Sequence, residues 1–203
     1  MRTMTIPELY NLLCSEDFKN TENDIFYNFY IFQYPPEDEY KMRCRIEEFK
    51  AQLLRPVNYV DVLTIDLFKE FCAFLDNQSF GKKHPSYLKY MLEKDEIDHE
   101  AVTRTLTNKA NSPQFYEYLH NRIMEHISIE DDKLRPYVFL YGIGSMYPYM
   151  RTSSLLASYE QYNKSNKYKI IVFYPGEKEG NTFRLFNRID DEHTYRAILL
   201  IND

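Results

Sequence analysis

The sequence predicts an α/β fold: a mostly parallel central sheet of about six strands flanked by helices, with a C-terminal antiparallel hairpin and a helical insertion. Three observations lead there. Short β-branched or aromatic runs at 59–65, 137–141 and 168–174 alternate with segments of helical periodicity. The runs at 138–140 and 170–173 are apolar without a break, as in strands covered on both faces. Residues 77–128 hold no strand-like alternation and read as a helical insertion or subdomain within one α/β domain spanning 1–203.

Taken in order, the chain opens on Thr5-Ile6-Pro7-Glu8, a helix cap with glutamate at the capping-box distance, followed by the apolar stripe Leu9, Leu12 and Leu13. Residues 26–34 are rich in aromatics and stop at Pro35-Pro36, which predicts a buried strand. Residues 37–55 turn helical, with Met42, Ile46, Phe49 and Leu53 at spacings of three and four. A strand over 59–65 then leads to Asp66, read as the N-cap of a helix beginning Leu67-Phe68. Within 77–128, Pro85, Asp98 and Ser112-Pro113 mark helix starts, and Phe115, Leu119, Ile123 and Ile127 form a stripe. Strands return at 137–141 and 168–174, the second ending at Pro175-Gly176, with a helix between them starting near Ser153 or Ser154. Strands at 182–186 and 195–201, joined through 187–193, are expected to pair antiparallel.

Composition narrows the function classes. The 203 residues carry a net charge of -6 and no long basic stripe, so autonomous nucleic-acid binding is not expected. Cys14, Cys44 and Cys72 stand far apart with no CxxC pair and are read as reduced core thiols of a cytoplasmic protein. No apolar run reaches the length of about 18 residues that a membrane span needs, and the N-terminus lacks a signal-like core, so neither membrane insertion nor secretion is expected. The 19 tyrosines and 14 phenylalanines, with no tryptophan, suit either a Tyr-lined core or a Tyr-rich partner surface.

Two turns at strand ends are the candidate sites. Gly142, Gly144 and Ser145 follow the strand at 137–141, and a glycine turn there exposes backbone N–H groups to an anion, with Arg151 as a positive partner. The turn is neither a P-loop, since no GK[ST] follows, nor a dinucleotide fingerprint, since Tyr147 stands where the third glycine would fall. Tyr147, Tyr149, Arg151 and Tyr174 are the residues of choice for a protein interface, because Tyr and Arg bury rigid area while keeping polar contacts. Arg184, Arg188 and Arg196 lie near the predicted hairpin. The five histidines form no HExxH and no spaced Cys/His set; Glu117 and His120 stand three apart, the spacing of a helical pair, and no metal site or cofactor is expected. Asp61 and Asp66 bracket the strand after the first long helix, no GxSxG elbow occurs, and the acid run Glu130-Asp131-Asp132 reads as a solvated face.

Three segments taken together resemble the BrxB-like family, a small component of BREX bacteriophage-exclusion systems. They are Asn28-Phe29-Tyr30-Ile31-Phe32-Gln33-Tyr34-Pro35; Gly142-Ile143-Gly144 with Tyr147-Pro148 and Arg151; and Phe173-Tyr174-Pro175-Gly176 with Leu185-Phe186 and Tyr195-Arg196-Ala197. Their order covers nearly the whole chain. The resemblance implies a non-catalytic adaptor or structural component of a phage-defence assembly. The implied partners are a PglZ-type protein of the alkaline-phosphatase superfamily, a large BREX ATPase, or both. A degenerate nucleotide- or phosphate-binding regulatory domain on Gly142, Gly144, Ser145 and Arg151 is the alternative. The chain departs from the family at Arg151-Thr152-Ser153, where a histidine usually follows the hydroxyl residue, and at Ala197-Ile198, where an aromatic is common.

Overall fold

The computed structural model describes residues 2–20, 29–128, 136–162, 167–179, 182–191, 198–199 and 201–202. A two-residue strand β1 (Arg2–Thr3) pairs antiparallel with β9 (Ile201–Asn202). Helix α1 (Ile6–Cys14) starts at the predicted capping box: the Thr5 amide donates to the Glu8 carboxylate at 2.7 Å, and the Thr5 hydroxyl accepts from the Glu8 amide. Then come α2 (Glu16–Asn20), β2 (Phe29–Tyr34), a single 3-10 turn at Pro36–Asp38, α3 (Glu39–Leu53) and β3 (Val62–Asp66). Helices α4 (Leu67–Asp76), α5 (Tyr87–Asp95), α6 (His99–Ala110) and α7 (Pro113–Ser128) fill the stretch before β4 (Tyr137–Tyr141). Beyond β4 lie α8 (Ile143–Met146), α9 (Thr152–Tyr159), β5 (Lys169–Glu179), β6 (Thr182–Leu185), β7 (Ile189–Asp191) and β8 (Ile198–Leu199).

The main sheet runs β3-β4-β5-β2-β8, with β6 and β7 added through β5. It is mixed, which corrects the expectation of a mostly parallel sheet with one C-terminal hairpin. In it β2, β3, β4, β5 and β8 enter parallel pairings and β5, β6 and β7 antiparallel ones, while β1 and β9 pair antiparallel in a separate two-stranded sheet. The physical reason lies in β5. It does not stop at Pro175 but changes partners there: Lys169 to Pro175 align with β4 and β2, and Gly176 to Glu179 pair with β6. At Gly176 a Cβ would come within 3.0 Å of the Tyr174 ring and collide with the Arg184 carbonyl, so only glycine lets β6 approach. The expected pairing of 182–186 with 195–201 is overturned. Strand β6 pairs with β5 and β7, and β8 lies parallel to β2 on the other side of the sheet.

Alternation along the strands creates two cores. Tyr30, Phe32, Phe139, Ile171 and Phe173 face α1, α2 and α3, whose Leu9, Leu13, Met42, Ile46 and Phe49 close that layer. Phe29, Ile31, Val138, Leu140, Ile170 and Val172 face α4 to α9. Each large side chain buried to the extent of Ile31 or Phe173, both 0% exposed, contributes about 1.5–3 kcal/mol relative to exposure. The helix starts lie at or next to the signals read from sequence. Asp98 caps α6, Ser86 rather than Pro85 caps α5, the Ser112 hydroxyl accepts from the Phe115 amide at 3.3 Å, and Phe115, Leu119 and Ile123 are buried. Strand β3 begins later than expected, because Tyr59 sits at φ 51 in the turn that reverses the chain after α3. Cys44 lies exposed on α3 rather than in the core, while Cys14 and Cys72 are half-buried. The acid run 130–132, His193 and Arg196 lie outside the described residues.

Candidate functional site at the carboxyl ends of the strands

Strands β2, β3 and β4 deliver their carboxyl ends to one side of the molecule, and a helix leaves each of them: α3 to one face, α4 and α8 to the other. In open α/β sheets this divergence forms the crevice where ligands and partners meet. Here it is filled by a charged network. Asp66, 7% exposed, ends β3 and caps α4, its Oδ1 accepting from the Lys69 amide at 3.3 Å. Its Oδ2 accepts from Arg43 Nη1 at 2.8 Å, and Lys69 Nζ stands 3.7 Å away. Arg43 also donates to Glu39 Oε1 at 2.9 Å and to the Ser145 hydroxyl at 3.3 Å, and its guanidinium lies 5.5 Å from the Tyr141 ring centre. The Tyr34 hydroxyl donates to the other Glu39 oxygen.

The electrostatics follow from this packing. Burial opposes the Arg43 charge, yet Asp66 and Glu39 raise its pKa overall. Burial and then the Glu39 carboxylate push the Tyr34 hydroxyl far above its ordinary value. Burial and Asp66 likewise raise Tyr141 and the Cys72 thiol. Every carboxylate of the network faces a cation. The arrangement therefore pins α3 to the ends of β3 and β4.

The structure brings Gly142, Gly144 and Ser145 together on the turn into α8 but sends Arg151 elsewhere. Gly142 has φ 75, and a Cβ on it would lie 2.7 Å from Asp66 Oδ1. A Cβ on Gly144 would lie 2.6 Å from Phe186 Cε1. The glycines thus admit a carboxylate and an aromatic ring, and the space above the turn is taken. Arg151 Nη1 donates to the Asp190 carbonyl of β7 at 2.8 Å, while Arg43 occupies the place beside Ser145. Phe186 and Asn187 both have positive φ, 56 and 58, a strained β6–β7 turn that presses the Phe186 ring onto Gly144.

The segment after α8 returns to the surface. Tyr147 is 39% exposed, Arg151 is exposed and Tyr149 is half-buried. The Tyr149 amide donates to the Met146 carbonyl at 2.7 Å, and its carbonyl accepts from Asn111 Nδ2 at 2.8 Å. Tyr174 is fully buried, its ring 5.6 Å from that of Phe183 between centres. His120 lies 3.4 Å from the Tyr159 hydroxyl, and Asp61 pairs with His126. Arg184 binds Glu179 and Asp190. Arg43 and Glu39 were not singled out from sequence; their signal is an acid–base pair four residues apart on the first turns of a helix that follows a proline-stopped strand.

Comparison with known proteins decides the family. Residues 63–200 match the family described as "BREX protein BrxB". The chain belongs to the BrxB family. A protein of Bacillus cereus (strain H3081.97), also named "BREX protein BrxB", is 25% identical over 186 residues, covering 91% of this chain and 88% of that one. No solved structure matches. This BrxB-family chain is a component of a BREX-type phage-defence system. Among the described residues no group of three or more His, Cys, Asp or Glu side chains is placed to hold a metal ion, and no helix is long and apolar enough to cross a membrane.

Proposed function

We propose that this BrxB-family chain is a non-catalytic adaptor of the BREX assembly that docks a partner on the carboxyl-end face through Tyr147, Tyr149 and Arg151. The partner is a PglZ-type protein of the alkaline-phosphatase superfamily, the large BREX ATPase, or both. One observation carries the reading. The crevice where a small ligand would sit is occupied by Asp66, Arg43 and Phe186, while Tyr147 and Arg151 stand exposed on a segment pinned at both ends. A backbone segment already held in place loses little conformational entropy on docking, and Tyr and Arg are the side chains that hot spots favour. The same face carries two further exposed aromatics, Tyr40 on the first turn of α3 at 79% and Phe68 on the first turn of α4 at 37%. Tyr174 is fully buried with its ring against Phe183, so it is not part of this docking surface.

Calorimetric titration of the purified chain with each partner tests the reading. Binding to one of them, weakened roughly ten- to a hundredfold by Y147A/R151A with an unchanged circular dichroism spectrum, is expected of a hot spot. Equal binding by the wild type and the folded variant would place the interface elsewhere.

A further inference from the structure

A second surface stands apart from the carboxyl-end face, on the loop between α4 and α5 and the start of α5. Residues 77–92 carry Lys82, Lys83 and Lys89 but no aspartate or glutamate, in a chain whose net charge is -6. All three lysines are exposed, and none forms an ion pair among the described residues. The carboxylates that border the loop face other partners: Asp76 accepts from the Ser86 hydroxyl, and Glu93 lies 3.9 Å from His84.

Along the chain the three lysines fall between Phe80 and Tyr90, whose rings form a stack that is not fully buried. Phe80, 45% exposed, lies face to face with Tyr90 at 4.3 Å between ring centres and 13° between planes. Tyr90 also meets His84 at 4.8 Å. The loop is held by its own backbone. The Phe80 amide donates to the His84 carbonyl at 2.8 Å, the Tyr87 amide donates to the Gln78 carbonyl at 2.7 Å, and Gly81 turns the tip at φ 62. At its base Lys109 donates to Gln78 Oε1 at 2.8 Å and lies 4.9 Å from the Tyr87 ring centre, adding a fourth cation. A half-exposed aromatic stack on a loop held by its own hydrogen bonds, beside lysines with no ion-pair partner among the described residues, offers apolar area and positive charge together.

We propose that this loop is a second docking surface, which takes an acidic segment of a partner polypeptide with an apolar or aromatic residue between its carboxylates. The open face of Phe80 packs the apolar residue, and Lys82 and Lys83 pair with the flanking carboxylates. A nucleic acid fits less well. Backbone binding gains strength only from many phosphate contacts, and the loop offers few cations on an acidic chain. The proposal rests on the adaptor reading, since a protein that joins two others needs two faces.

The test uses the full chain and three fluorescein-labelled probes in anisotropy titrations: the peptide Glu-Glu-Asp-Phe-Asp-Glu-Glu, its Gln/Asn counterpart, and a thymidine 12-mer. Saturable binding of the acidic peptide alone is expected, falling as salt rises from about 50 to about 300 mM. K82E/K83E should weaken it by at least about tenfold and Phe80→Ala by about fivefold, with unchanged circular dichroism, because the substituted side chains are exposed. Y147A/R151A should bind the peptide as the wild type does, so failure of the first face and failure of this loop are told apart. No saturable binding of the acidic peptide, binding unaltered in K82E/K83E, or preference for the thymidine 12-mer would each overturn the proposal.

Discussion

Asp66→Ala removes two things at once, and the structure sets the size of each. The carboxylate caps α4 through the Lys69 amide at 3.3 Å, and losing such a cap costs about 1 kcal/mol. It also accepts from Arg43 at 2.8 Å in a position where its own side chain is 6% exposed. Arg43 keeps Glu39 and is 31% exposed, so it is not stranded, and the lost charge-assisted bond is worth about 1–2 kcal/mol. The sum, about 2–3 kcal/mol, corresponds to a fall in Tm of roughly 5–10 °C for a chain of this size. Asp66→Asn keeps an acceptor for the cap and loses only the charge, so it should fall by about half as much. Thermal and urea unfolding followed by circular dichroism read both. An Asp66→Ala variant within about 0.5 kcal/mol of the wild type, or an Asn variant as unstable as the Ala one, would show that the network does not hold α3 and α4 to the sheet.

Three further outcomes follow from single sites. Gly144→Ala should cost about 1–3 kcal/mol by driving a Cβ into the Phe186 ring, and Phe186→Leu in the same chain should recover part of it, measured as a double-mutant cycle. A small apolar cavity of about 20 Å³, lined by Val138, Leu140, Leu155 and Ile170 among others, has room for one more methyl group, so Val138→Ile should raise stability by about 0.5–1 kcal/mol in urea unfolding. Burial lowers the His120 pKa below its ordinary 6.5, with Glu117 opposing. The unfolded chain therefore takes up the proton first. Stability contributed by neutral His120 is present above pH 6.5 and is lost as pH falls from there toward the folded value, and His120→Asn should flatten the stability profile in that window.

Local grammar was readable in the residues. The capping box at Thr5, the Asp66 cap, the Ser112-Pro113 start and the stripes on α3 and α7 each depend on neighbours within one helical turn, so short-range pattern suffices. Sheet pairing was not readable, because it depends on which distant segments meet. Pro175-Gly176 looks like a stop signal, yet Gly176 is the residue that lets β5 exchange parallel neighbours for β6. The pairing of β8 with β2 joins segments far apart in the chain, and no turn between them announces it. At the site, the glycine turn was found but its use was not. Glycine at 142 and 144 reads equally as an anion cradle or as room for a neighbour, and only the placement of Asp66 and Phe186 separates the two. Arg151 was expected beside that turn; its guanidinium donates instead to the Asp190 carbonyl on β7, a strand far along the chain whose position no local pattern announces. Arg43 was passed over beside the core stripe of its own helix: its pairing with Glu39 is local, but its partners Asp66 and Ser145 come from β3 and α8.

The most direct test of the adaptor reading is a tagged pull-down of this chain from cells carrying the full BREX gene cluster, with nuclease added, read by mass spectrometry for the wild type and for Y147A/R151A. Recovery of the PglZ-type protein or the ATPase by the wild type despite nuclease, and its loss with the folded variant, is the predicted result. A folded wild-type bait that recovers neither, or that recovers them equally well without Tyr147 and Arg151, would contradict it.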